Sequence, residues 1–246
     1  MEDSRGDHPP AAQATTLAAT SGTVNTLRRH KYAILLAALL FVAIDESFTK
    51  RLLRPLFSDI ALMAMMVLVF LIVFKRRTDR RLAFVALVAA VSASTAHYAL
   101  SDSQHQLSLR VINHGAQLLL IGFGTFVMLR NIFAQRVVRA DDVLGAVCGY
   151  LLAAGAWADL FMLIEVFLPG SFSVSPGFSA GLDTWNGRIA ILTNVSLASL
   201  TSIGSSAAVA VGPPATILVP LEALFGQFYI AVVVAQLVGS RLSQEA

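Results

Sequence analysis

The sequence predicts an all-α membrane protein with six transmembrane helices, plus one short re-entrant helix that is followed by a loop. Of its 246 residues, 56% are hydrophobic and 13% are charged, and the mean hydropathy is +0.71. A soluble domain needs far fewer apolar residues. Six apolar runs approach the roughly 20 residues that a helix needs to cross a bilayer. Between the fifth and sixth runs lies a long segment, 169–214, that is too apolar for a simple solvent loop.

Residues 1–27 precede the first apolar run and are predicted to form a disordered cytoplasmic tail. They are polar, mix both charge signs and include Pro9 and Pro10 among many Ser, Thr and Ala residues. Such a composition cannot bury enough apolar surface to order the chain. The acidic start and the lack of an early apolar core are not typical of a cleaved secretory signal.

The first four apolar runs predict a four-helix transmembrane domain over 28–140. These runs are 31–48, 57–74, 82–100 and 107–129. The first is the weakest, because Asp45 and Glu46 interrupt it. A voltage sensor needs Arg or Lys at every third position of one helix, whereas the fourth run offers only Arg110 and Arg130 near its ends. We therefore expect a domain without voltage-sensor charges.

Polar residues inside the third and fourth runs are expected to form hydrogen bonds between helices. They are His97, Asn113, His114 and Gln117. No carboxylate or cysteine stands at ligand spacing beside them, which does not favour a metal site. Cys148, the only cysteine, lies inside an apolar run, so we expect it to pack in the core.

The distribution of basic residues predicts the orientation. If the N-terminus is cytoplasmic, 13 of the 18 Lys and Arg residues lie on the cytoplasmic side of six crossings and 5 lie on the other. This asymmetry predicts a multi-pass protein of the inner (plasma) membrane with both termini in the cytoplasm. It also explains the pI of 9.4 without a nucleic-acid partner, because the basic residues stand at helix ends.

The last two runs, 143–168 and 215–239, belong to a second predicted unit over 141–246. The segment between them begins with a Gly-, Ser- and Pro-rich turret, 169–185. An apolar stretch at 186–200 follows, with Asp183 or Thr184 as its N-cap, and is too short to span a membrane comfortably. It suits a helix that enters part-way and returns through the loop at 201–207, provided that protein or water satisfies the loop's amides.

At these residues the chain resembles the two-transmembrane pore module of potassium channels, in a family of small bacterial ion channels with additional helices in front. The resemblance covers roughly 138–239. The run ADDVLGAVCGYLLAAGAWADLFMLIEVFLPGSF is similar to the family's outer helix, and PLEALFGQFYIAVVVAQLVG is similar to its inner helix. The resemblance implies an outer helix at 141–168, a pore helix at 186–200, a filter at 201–207 and an inner helix at 214–239.

The loop keeps half of the family's selectivity-filter pattern. The family's two threonines, its valine and its first glycine fall on Thr201, Ser202, Ile203 and Gly204. Its tyrosine, second glycine and aspartate fall on Ser205, Ser206 and Ala207. In the pore helix, two positions that are aromatic in the family fall on Asn194 and Val195. Taken without the turret, the re-entrant helix and the two flanking helices, such a Ser- and Gly-rich patch is more typical of a helix-packing surface in a membrane.

Two residues of the predicted inner helix have expected roles. Gly226 falls where the inner helix of such channels bends, so the resemblance implies a gating hinge, and a close contact between helices is the alternative. Glu222 is a carboxylate in an apolar helix and should face protein or water, as support for the pore. A hydrogen bond to the pore helix and attraction of cations are its two candidate roles.

The resemblance implies a subunit of a homotetrameric, potassium-channel-like cation channel in membrane lipid. Filter carbonyls replace the water shell of potassium in such channels. Because only the inner half of the pattern is kept, we expect weak selectivity between potassium and sodium, with ion-binding groups at Thr201, Ser202, Ile203, Gly204, Ser205 and Ser206. A non-conducting channel relative and a transporter are the alternatives. We expect no enzyme, no metal site, no cofactor other than the transported monovalent cation and no small-molecule substrate, since the motifs for catalysis are absent from the sequence.

Overall fold

The structure is a computed structural model of the full chain. It describes residues 31–48, 64, 67–74, 77–99, 106–133, 140–176, 182 and 184–245. The predicted tail at 1–27 lies outside these residues, as do half of the predicted second helix at 57–74 and residues 177–181 and 183 of the predicted turret.

The described part of the first domain is helical and packs as a layer against the second unit. Its helices are α1 (Lys31–Phe48), α2 (Arg77–Ala99) and α3 (Gln106–Phe133), and residues 67–73 are also helical. Helix α3 contacts α2 and also the long helix Ala140–Phe167 of the second unit. Helix α1 contacts that long helix as well. A common core of Leu35, Leu120, Cys148 and Leu152 joins the layer to the second unit. Cys148 is fully buried there, as predicted.

The described part of the second unit contains three helices and two short strands. Helix α4 (Ala140–Phe167) is followed by strand β1 (Phe172–Val174), helix α5 (Trp185–Leu200), strand β2 (Ala208–Ala210) and helix α6 (Pro213–Glu245). The predicted starts of the three helices agree with these bounds within a residue. Helix α6 continues six residues past the predicted end at 239, because SRLSQE contains no helix-breaking residue.

The fold is mostly helical, as the all-α prediction requires, and β1 and β2 add a small antiparallel two-stranded sheet that was not predicted. Phe172 lies opposite Ala210, and Val174 lies opposite Ala208. The sheet joins the end of α4 to the beginning of α6, so these two helix ends lie together. A strand of three residues is too short to show a period-two pattern, which is why the sequence did not predict it.

Three described helices are long and apolar enough to cross a membrane. The candidate spans are Leu107–Asn131 in α3, Asp142–Phe167 in α4 and Pro213–Gln236 in α6. Helix α1 contains a shorter apolar stretch, Tyr32–Phe41, and α2 begins with several charged residues. A membrane protein is therefore supported by three helices of the described part, and the prediction of six spans goes beyond them.

Candidate functional site

The site is built on helix α5, which begins with a side-chain cap. Thr184 has extended backbone angles, and its hydroxyl accepts a hydrogen bond from the Gly187 N–H at 3.2 Å. One of the two predicted caps is thus confirmed. Leu192 and Val195 are buried among Phe161, Phe172 and other apolar residues. This core holds α5 against α4 and the sheet.

The C-terminal end of α5 is closed by a Schellman motif. The N–H of Ser202 donates to the Ser199 carbonyl at 2.8 Å, and the N–H of Ile203 donates to the Ala198 carbonyl at 2.9 Å. Ser202 has a φ of +58°, a left-handed conformation that costs a residue with a side chain about 1–2 kcal/mol. Gly204, two residues later, has a φ of +84°. The loop therefore turns sharply as soon as the helix ends.

The same turn leaves backbone carbonyl groups free at the helix end. The N–H groups of residues 201–204 all donate to the carbonyls of Leu197, Ala198 or Ser199. Within the described residues, no hydrogen bond to the carbonyl oxygens of 201–204 is found. The C-terminus of a helix also carries a partial negative charge of about −0.5. The arrangement offers four unpaired carbonyl oxygens in a negative potential, which suits a cation.

Contacts with α4 and α6 fix the depth at which α5 ends. The Tyr150 hydroxyl donates to the Leu200 carbonyl at 2.7 Å, and Gly226 packs directly against the same carbonyl. At about 1.5 Å per residue, Gly226 lies about 20 Å from Pro213 and Tyr150 lies about 25 Å from Phe167. Leu200 is therefore near the middle of both long helices, well away from the sheet that joins their ends.

The loop returns from this mid-helix position to the sheet. Ala207 is buried, and its carbonyl accepts a hydrogen bond from the Ser175 N–H at 3.0 Å, immediately before β2 begins. Ala207 thus connects the loop to β2, and the filter bounds of 201–207 stay a prediction.

Two hydrogen bonds between side chains attach the loop to the neighbouring helices. Gln227 of α6 donates from Nε2 to the Ser202 hydroxyl at 2.9 Å. Ser205 donates to the side-chain oxygen of Asn194 in α5 at 2.9 Å, and its hydroxyl accepts the Ala207 N–H at 3.1 Å. Ile203 stands between the two attachments and is 83% exposed in the single chain.

Glu222 of α6 is buried against α5 and does not face the loop's carbonyl groups. Its side chain is fully buried, and Oε1 is 2.5 Å from the Ser196 hydroxyl of α5, which also lies 2.7 Å from the Ala154 carbonyl of α4. The predicted hydrogen bond from Glu222 to the short helix is present. The other predicted role, attraction of cations, has no exposed carboxylate to carry it.

Gly226 is buried where α6 crosses the end of α5. A side-chain carbon built there would overlap the Leu200 carbonyl oxygen. This close approach explains why position 226 is a glycine. It matches the alternative to the hinge that the sequence left open, a close contact between helices. The hinge role remains a prediction.

A second polar cluster lies at the beginning of α5, where the two units meet. His114 Nδ1 is 2.7 Å from Asp159 Oδ1, and both side chains are buried. The His114 ring lies 5.4 Å from the ring of Trp185, and the Arg110 guanidinium lies 4.7 Å from it. The predicted bond between helices is thus confirmed for His114. Its partner was not predicted, since Asp159 is 45 residues away in the chain.

Some contacts at the site have no signal in the sequence. Tyr150 and Asn194 were not predicted to support the loop, because their partners Leu200 and Ser205 lie 50 and 11 residues away along the chain. Among the described residues, no group of three or more His, Cys, Asp or Glu side chains could hold a metal ion. Comparison with protein-family models, with curated proteins and with solved structures gave no match to this chain.

Proposed function

We propose that this chain is one subunit of a homotetrameric cation channel, with weak selectivity between potassium and sodium. The observation that carries the proposal is the set of unpaired carbonyl oxygens at 201–204, at the negative end of α5. Carbonyl oxygens can replace the hydration shell of a monovalent cation. One chain surrounds a central ion on one side only, so several copies are needed to complete the site.

The depth of the loop supports a re-entrant segment. Leu200 contacts the middle of two helices that are long enough to cross a membrane, and residues 201–207 return to the end from which α5 started. Lipid cannot satisfy free carbonyl groups at that depth, whereas protein or a water-filled cavity can. A central pore between copies supplies such a cavity.

The surface of α6 supports assembly. In the single chain only 17% of its apolar span is buried, against 44% and 50% for the spans in α3 and α4. Polar residues also lie on its exposed surface and on the neighbouring loop, among them Gln227 and Thr201. A second copy can cover both kinds of residue, while lipid suits only the apolar ones.

Flux and oligomer size together test the proposal. Purified protein in liposomes is expected to pass potassium and sodium but not chloride, and native mass spectrometry is expected to give a tetramer. A tetramer without flux would favour a non-conducting subunit, and a monomer in gentle detergent would contradict the pore.

One variant connects flux to the loop. Gly204→Val places a β-branched residue at a φ of +84° but meets no atom within 4 Å, so it should change the loop's backbone and leave the packing intact. Flux is expected to fall by about tenfold or more, because the altered backbone disrupts one ring of carbonyl oxygens. The tetramer should be preserved. Ser173→Ala, an exposed position in β1, is the matched control and should conduct as the wild type does.

A further inference from the structure

We propose that the hydrogen bond between Asn194 and Ser205 determines how strongly the site distinguishes alkali cations by size. The inference rests on the proposed channel function. It concerns two residues that contribute no ion-binding carbonyl within 201–204, and it assigns Asn194 as a positioning residue for selectivity.

The loop is attached at two points on either side of its free carbonyls. On the inner side, Ser202 is bonded to Gln227 of α6, and on the outer side, Ser205 is bonded to Asn194 of α5. Ile203 and Gly204 lie between these points, and no described side chain bonds to either of them. Their N–H groups donate to the Ala198 carbonyl, so the positions of their carbonyl oxygens depend on these backbone bonds and on the two attachments.

The outer attachment follows the position of the loop with the greatest backbone freedom. Ser205 follows Gly204, which adopts a left-handed conformation with open space around it. Glycine has the greatest backbone freedom of any residue, so nothing in the local chain fixes the direction in which Ser205 leaves it. The bond from the Ser205 hydroxyl to Asn194, together with the bond from the Ala207 N–H, supplies that constraint.

A rigid ring of carbonyl oxygens and a flexible one differ in how strongly they select ions by radius. A ring of fixed width binds ions of one radius better than smaller or larger ones, whereas a loose ring adjusts to each ion. Loss of the Asn194 bond should therefore flatten the dependence of permeability on ion radius. Cations as a class should still pass, because the carbonyl oxygens remain.

The experiment compares bi-ionic reversal potentials of reconstituted protein for Li⁺, Na⁺, K⁺, Rb⁺ and Cs⁺. In Asn194→Ala and Ser205→Ala, the spread between the most and least permeant ion is expected to shrink by about two- to tenfold, the range of one hydrogen bond. The double variant should match the single variants, since both remove the same interaction. Ser205→Thr keeps the hydroxyl and should retain the spread.

Native mass spectrometry of each variant ensures that assembled tetramers are compared, and Ser173→Ala is the control. If Ser205→Ala does not assemble, Asn194→Ser tests the same bond, because its side chain is too short to reach Ser205. Additive effects of the two alanine variants, or an unchanged spread in assembled variants, would overturn the inference. A wild-type channel that passes all five ions equally would overturn it and leave the channel function standing, whereas a wild type without flux would overturn both.

Discussion

Glu222 Oε1 lies 2.5 Å from the hydroxyl of Ser196, and that hydroxyl lies 2.7 Å from the Ala154 carbonyl oxygen. The three residues belong to α6, α5 and α4, so this chain of polar atoms joins all three helices of the second unit. A hydroxyl group has one proton and here has two oxygen neighbours. A group at position 222 that carries a proton of its own can complete both bonds.

The first prediction follows from that proton count. Glu222→Gln is expected to change stability by less than about 1 kcal/mol, because its amide N–H can donate to Ser196. Glu222→Ala should cost about 1–3 kcal/mol, since it leaves buried polar atoms without a partner. Thermal unfolding in detergent, followed by circular dichroism, measures both. Equal losses in the two variants would contradict the hydrogen-bonding role.

The second prediction concerns Gly226. A methyl group there overlaps the Leu200 carbonyl oxygen, which is backbone and cannot rotate away, so Gly226→Ala should separate α5 from α6 and lower stability by about 1–3 kcal/mol or more. Gly115→Ala in α3 is the control, because it meets no atom within 4 Å and alanine favours a helix by about 1 kcal/mol. A pure hinge role predicts the opposite pattern, with unchanged unfolding temperature and altered open probability.

The third prediction concerns the junction between the two units. Removing either partner of the His114 and Asp159 pair leaves the other buried without it, so His114→Ala and Asp159→Ala should each lower stability by about 1–3 kcal/mol. The double variant should lose less than the sum of the two single losses. Asp159→Asn keeps an acceptor oxygen and is expected to lose less than Asp159→Ala. Unfolding temperatures of the four variants test this, and strict additivity would show that the pair does not interact.

The fourth prediction is a weak dependence of conductance on voltage. Of the two arginines near the ends of α3, Arg130 forms an ion pair with Asp79 of α2 at 2.5 Å, and Arg110 lies over the ring of Trp185. Charges held in such contacts have no free path across the membrane field, and too few are present to give steep gating. Currents recorded over about ±100 mV should change nearly in proportion to voltage. A steep conductance curve that Arg130→Gln flattens would contradict this.

The sequence by itself determined the helices of the second unit and the chemistry of their loop. Long apolar runs and a Thr cap were enough to predict the starts of α4, α5 and α6 to within three residues, because helix formation depends on neighbouring residues. The composition was also enough to predict a membrane protein. The run from Thr201 to Gly204 could be singled out, since its residue types matter to backbone geometry and to ion binding.

Only the tertiary structure decided how that loop is held and at what depth between α4 and α6 the end of α5 lies. The strands are too short to leave a pattern, and the partners Asn194 and Ser205, Ser196 and Glu222, and Tyr150 and Leu200 are separated by 11, 26 and 50 residues. Such pairs form because helices fold against one another, and no local preference records them. For Gly226 the sequence left two roles open, and the nearby Leu200 carbonyl supplies the physical reason for a residue without a side chain.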